Sequence, residues 1–157
     1  MMIGVTGHQR LPSDVLPFIT ARIERIVHSA AGQLTGISSL AAGADQLFAE
    51  IVLKAGGKLH IIVPCEDYES TFENENSLVR FRTLLANAEN VETLAHKHPS
   101  EEAFLDAGRR VADLSQLLVA VWDGDEAKGK GGTGDIVRYA RRRNGEVIVI
   151  WPEGTMR

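Results

Sequence analysis

Only one cysteine, Cys65, occurs in the 157 residues, so no disulfide can close within the chain, and the usage fits a reducing compartment. Aromatic residues are sparse at 6%, and there is no excess of positive charge: the formal net charge is −4. A protein that neutralises many phosphates shows a basic face with rings for stacking, so this composition gives no electrostatic footprint for nucleic acid, which is not the expected partner; a local basic patch is still compatible with it. No apolar run approaches the length of a membrane span, and the opening MMIGVTGHQR has no basic segment ahead of an apolar one. A cytoplasmic protein with no membrane partner is expected. Internal repeats, low-complexity tracts and linkers are also missing, and with 44% hydrophobic residues the chain suits a single domain, residues 1–157, able to bury a core.

What the sequence does contain is an alternation. Short apolar runs at 2–5, 34–37, 59–63, 117–122 and 147–151 read as strands buried on both faces, and stretches of helical period at 13–31, 44–54, 77–88, 100–114 and 134–143 lie between them. In the first helix Val15, Phe18, Ile19, Ile23, Ile26 and Val27 form the apolar stripe. Residues 91–94 suggest one more short strand, whereas the polar segment 66–76 supports no assignment. Ser100 is placed to cap a helix with Glu101 and Glu102 in its first turn, and Gly56 and Gly57 are placed to end another. Parallel neighbours need crossovers, so the order predicts an α/β fold: a Rossmann-like three-layer α/β/α sandwich with a mainly parallel sheet of five to six strands.

In such a sheet ligands bind beyond the carboxyl ends of the strands, which confines the search to four loops. The first reads TGHQR: Gly7 allows a tight turn, and His8 and Arg10 either offer donors to an anion or are simply solvated. The second, SSLAAGAD, brings Ser38, Ser39, Gly43 and Asp45 to a helix start, where Asp45 is a ligand contact or a cap. The third, VPCEDYE, holds Cys65, which without an evident base reads as a buried packing residue. In the fourth, Gly124, Gly129 and Lys130 match the spacing of a P-loop, but Gly131 stands where a serine or threonine should hold magnesium, so that pattern fails. What remains is Gly131, Gly132 and Thr133 opening a helix, either an anion site or a surface loop, with Lys128 and Lys130 as added charge or solvated neighbours. His96 and His98 have no acidic or sulfur partner in sequence to complete a metal set, so no metal is expected, and no cofactor.

Taken in order, TGHQR, GISSLAAGAD and the GGTG loop resemble the SLOG superfamily, which joins the DNA-processing protein A (Smf) and Lonely Guy groups. Ser39, Leu40, Ala41, Gly43 and Asp45 loosely match the S-G-x-A-x-G-x-D pattern of the first group, read with Leu40 where that group has its first glycine. Gly131, Gly132 and Thr133 are similar to the P-G-G-x-G-T motif of the Lonely Guy phosphoribohydrolases, with compressed spacing and no proline. The resemblance implies a Rossmann-like fold, a nucleotide or nucleotide-derived ligand beyond the sheet, and a homodimer or higher homo-oligomer. Ile136 occupies the place of the Lonely Guy glutamate, with Asp135 one residue earlier; the M-H-x-R-K motif is missing, and Arg80 and Arg82 are its available stand-ins. The run VAVWDGDEAKGKGGTGDIVRYA also resembles nucleoside deoxyribosyltransferases, where Asp123, Gly124, Gly132 and Thr133 fit and the nucleophile position again falls on Ile136.

The expected function is therefore binding of a nucleotide or nucleotide derivative by Gly7, His8, Arg10, Ser38, Ser39, Gly43, Asp45, Gly131, Gly132 and Thr133. A rival is an N-glycosidase acting on nucleoside monophosphates, with Asp135 or Asp123 as the carboxylate that stabilises an oxocarbenium-like state. Binding of single-stranded DNA, as in the DNA-processing group, is the third reading.

Overall fold

A computed structural model describes residues 1–30, 32–125 and 132–153. Strand and helix alternate as β1 (Met2–Gly7), α1 (Leu16–Ser29), β2 (Thr35–Ser38), α2 (Ala44–Lys54), β3 (Lys58–Val63), α3 (Glu75–Ala86), β4 (Asn90–Thr93), α4 (Glu101–Leu114), β5 (Leu117–Val121), α5 (Thr133–Arg142) and β6 (Glu146–Ile150). Among the described residues the six strands form one sheet in the order β4-β3-β2-β1-β5-β6, and every neighbouring pair is parallel. This is the predicted Rossmann-like α/β architecture.

The strand order follows from the chain's path. It steps outward from β1 to β4, then returns across the sheet and continues on the other side of β1. Right-handed crossovers then put α1, α2 and α3 on one face and α4 and α5 on the other. Two separate cores record this. On the first face Ile19 and Ile23 of α1, Phe48 and Val52 of α2, and Phe81 and Leu84 of α3 belong to one buried cluster with Ile3, Val5 and Ile61. On the second, Ala107 and Val111 of α4 and Ile136 and Ala140 of α5 meet Ile37, Ile62 and Leu118. Each fully buried aliphatic or aromatic side chain contributes roughly 1.5–3 kcal/mol. Gly36 lets α2 approach β2 closely, since a Cβ there would lie 2.9 Å from Val52 and 3.0 Å from Phe48.

Helix ends depart from the periodic pattern in physical ways. α1 starts at Leu16 because the Val15 amide closes a turn on the Pro12 carbonyl (3.1 Å) and Pro17 favours the first helical turn. Phe18 is 38% exposed, outside the buried stripe, with the Arg22 guanidinium 5.7 Å above its ring. Ser100 caps α4 as predicted, accepting from the Ala103 amide at 3.0 Å. β4 is an edge strand, exposed along most of its length, which explains its weak signature. The unassigned segment 66–76 is held from both ends: the Glu66 and Asp67 amides donate to the His96 and Lys97 carbonyls (2.8 and 3.0 Å), a single 3₁₀ turn spans Glu69–Thr71, and Asn74 caps α3. No described helix is long and apolar enough to cross a membrane.

Candidate functional site

The strand order reverses between β1 and β5, and there the loops at their carboxyl ends diverge, leaving a crevice. A cavity of about 560 Å³ occupies it, walled by the loops beyond β1, β2, β3 and β5 and by the first turn of α5.

β1 delivers Gly7 to the floor, where a Cβ would lie 2.5 Å from the Ala44 methyl and 2.9 Å from Val121 Cβ. The backbone then crosses tightly: the His8 amide donates to the Val121 carbonyl and the His8 carbonyl accepts from the Ala44 amide, both at 3.1 Å. The His8 ring is buried, edge-on to Trp151 at 5.5 Å, with Nε2 lying 3.1 Å from the Asp123 amide nitrogen and 3.2 Å from Asp123 Oδ1. Arg10 stands exposed at the rim, one guanidinium nitrogen 2.8 Å from each carboxylate oxygen of Glu73. Both predicted donors thus reach the cavity, and both meet acids.

The loop beyond β2 is organised around Asp45. Its Oδ2 accepts from Ser38 Oγ and from the Ser39 amide, each at 3.1 Å, while Ser38 Oγ accepts from the Leu40 amide at 2.9 Å. Burial pushes the Asp45 carboxyl up to about 6, outweighing hydrogen bonds from Ser39, Ser38 and Ala41 that favour its charge. Leu40 is fully buried with φ 57°, a left-handed backbone that residues other than glycine seldom adopt. Gly43 has φ 83°, and a Cβ there would strike the His8 and Gln9 carbonyls. Ser39 and Asp45 line the cavity; Ser38 and Gly43 support it from behind.

The loop beyond β3 was one of the four searched, but beyond Cys65 its wall was not anticipated from sequence. Tyr68, Thr71, Phe72, Asn74 and Ser77 line it, with Tyr68, Phe72 and Phe81 packed ring against ring at 4.9–5.5 Å. An Asn-x-x-Ser cap following two closely spaced aromatic residues was the available signal. Cys65 is buried, and burial together with the Asp67 charge raises its thiol, as suits a packing residue rather than a nucleophile.

Beyond β5, Trp122 and Asp125 line the cavity in a turn fixed by the Asp125 amide donating to Asp123 Oδ1 (3.0 Å) and by Gly124 at φ 91°. Gly131 lies outside the described residues. Gly132, Thr133, Gly134 and Ile136 line the opposite side. Helices α3 and α4 have side-chain caps, whereas α5 begins at Gly132 without one. The two proposed carboxylates sit off the cavity wall: Asp123 is turned to His8 and its own turn, and Asp135 meets Arg138 at 2.5 Å. Arg80 pairs with Glu50 and Arg82 with Glu69, and neither lines the cavity. His96 pairs with Asp106 at 2.8 Å, and no group of three or more His, Cys, Asp or Glu side chains able to hold a metal occurs among the described residues.

An all-parallel sheet with this order, with a cavity at the carboxyl ends of its strands, defines a Rossmann-like α/β domain. Among solved structures, the chain is similar to DNA processing protein A (DprA) from Streptococcus pneumoniae, with a TM-score of 0.72 and 19% identity over 98% of this chain and 51% of that one. It is also similar to DNA processing protein A from Helicobacter pylori, a structure that describes a single-stranded DNA binding mode (TM-score 0.71, 16% identity, 98% of this chain and 66% of that one). A third is TM1055, with a TM-score of 0.60 and 13% identity over 93% of this chain and 71% of that one. The chain therefore spans about half to two thirds of the DNA processing proteins it matches. No family model and no curated protein sequence matches it.

Proposed function

We propose that the cavity binds a nucleotide or nucleotide derivative, with its phosphate at the start of α5 and its nucleoside against the loops beyond β2 and β3. The observation that carries this reading is the combination, in one crevice at the switch point, of a helix N-terminus with no side-chain cap and a facing wall of aromatic and hydrogen-bonding side chains. The first amides of a helix lack intrahelical acceptors and sit at the positive end of its dipole, and Gly132 and Gly134 put no side chain in the way of an anion. A volume of about 560 Å³ lies within the range of small-molecule sites. Binding is preferred over glycosidase chemistry because Asp123 and Asp135, the carboxylates that chemistry would use, are engaged away from the cavity wall.

The test is calorimetry and thermal shift with AMP, ADP-ribose and other nucleoside monophosphates. At least one should raise the melting temperature and bind with a Kd below about 1 mM, roughly −4 kcal/mol; no response from any of them refutes the reading. The Helicobacter pylori neighbour supports a second reading, binding of single-stranded DNA, against the expectation drawn from composition.

A further inference from the structure

Tyr68 comes from the segment that carries no sequence signature, yet it is the most enclosed polar side chain on the wall beyond β3. It is 4% exposed, its ring is held edge to face by Phe72 at 5.3 Å and Phe81 at 5.5 Å, and it lines the cavity. Its hydroxyl makes no hydrogen bond to a described residue, and it is not sealed in the core either. Buried tyrosine hydroxyls ordinarily find a partner, so this one is left for whatever fills the cavity.

The surroundings restrict what that partner is. Burial and the nearby Asp45 charge hold the phenol well above its usual range, so it is a neutral donor at any physiological pH. A phosphate beside Asp45 would meet a carboxylate, and two anions in a partly dehydrated corner repel each other. A neutral hydroxyl fits, since it can accept from the phenol and donate to a carboxylate with acceptor capacity to spare.

We propose that Tyr68 Oη, with Asp45 beside it, recognises a ribose hydroxyl of the bound nucleotide, so that the site prefers ribonucleotides to their deoxy counterparts. This rests on the nucleotide reading given above. Tyr68→Phe keeps the ring and its packing and removes only the donor, which makes it the informative variant. Calorimetry of wild type and Tyr68→Phe with AMP, 2′-deoxyadenosine monophosphate and 3′-deoxyadenosine monophosphate tests it, with the melting temperature of each unliganded protein as the folding control. Wild type should bind AMP about tenfold more tightly than at least one deoxy analogue, and Tyr68→Phe should lose that preference while binding the disfavoured analogue as wild type does. Unchanged AMP affinity in Tyr68→Phe, or an equal loss for all three ligands, overturns the inference and leaves the nucleotide reading standing. Failure of the wild type to bind any of the three overturns both.

Discussion

Asp45 sits 7% exposed with three donors of its own loop turned towards it. Its carboxyl titrates near 6 in the folded chain against an ordinary value of 3.8. Between these values the folded state binds more protons than the unfolded one, so the stability linked to this group is present at low pH and lost as pH rises through about 6. At about 1.4 kcal/mol per pH unit, the loss is about 3 kcal/mol by neutrality. Urea unfolding of wild type and Asp45→Asn between pH 4 and 7 should therefore diverge, the variant gaining on the wild type as pH rises; parallel curves would exclude this role. Leu40 shows a different balance. The left-handed backbone costs a leucine roughly 1–2 kcal/mol, and complete burial of its side chain offsets that with roughly 1.5–3 kcal/mol.

At the scale of elements, the helix starts differ in how they are closed. α3 and α4 are capped by Asn74 and Ser100, while α2 and α5, which bring the predicted loops to the cavity, begin at Gly43 and Gly132. At Gly43 the reason is close approach of the loop beyond β1. Gly56, at the end of α2, has the same φ of 83°, but a methyl group placed there would meet nothing within 4 Å, so it isolates the backbone cost alone. Gly56→Ala should cost about 1 kcal/mol, and Gly43→Ala at least about 2 kcal/mol more, together with weakened nucleotide binding. Chemical denaturation of the two variants measures the difference, and equal losses would show that the carbonyl contacts at Gly43 yield easily. Most elements were legible because strands buried on both faces print continuous apolar runs. β4 gave a weaker signal, suggested at 91–94, because its edge is exposed, and segment 66–76 gave none, because it is shaped by hydrogen bonds to residues 96 and 97 that no local pattern reveals. Tyr68 and the aromatic wall were missed for that reason: strand ends locate the loops beyond β1, β2, β3 and β5, but in the third only Cys65 was weighed.

For the whole molecule, charge separates the small-ligand reading from the polymer reading. The cavity brings Asp45, Glu73 and Asp125 together with His8 and Arg10, and the chain carries −4 overall. A site with this balance of acids and bases would suit a small phosphate group better than a track of phosphates. Nucleotide affinity should fall with salt by a log–log slope of about −2 or shallower, measured between roughly 50 and 200 mM salt; an oligonucleotide bound with a slope of about −4 or steeper would favour the single-stranded DNA reading.

β1 lies in the middle of the sheet, but its two neighbours come from distant parts of the chain. β2 follows within residues 35–38, while β5 is residues 117–121, and the Met2 amide reaches Gln116 Oε1 at 2.8 Å. A chain emerging from the ribosome can assemble β1 to β4 with α1 to α3, yet it must carry β1 with one open edge until β5 arrives. Closing that long loop is slow, and an unpaired central strand is a template for other copies in the meantime. The crevice floor, which needs Gly7 against Val121, therefore depends on a pairing between strands more than a hundred residues apart in the chain.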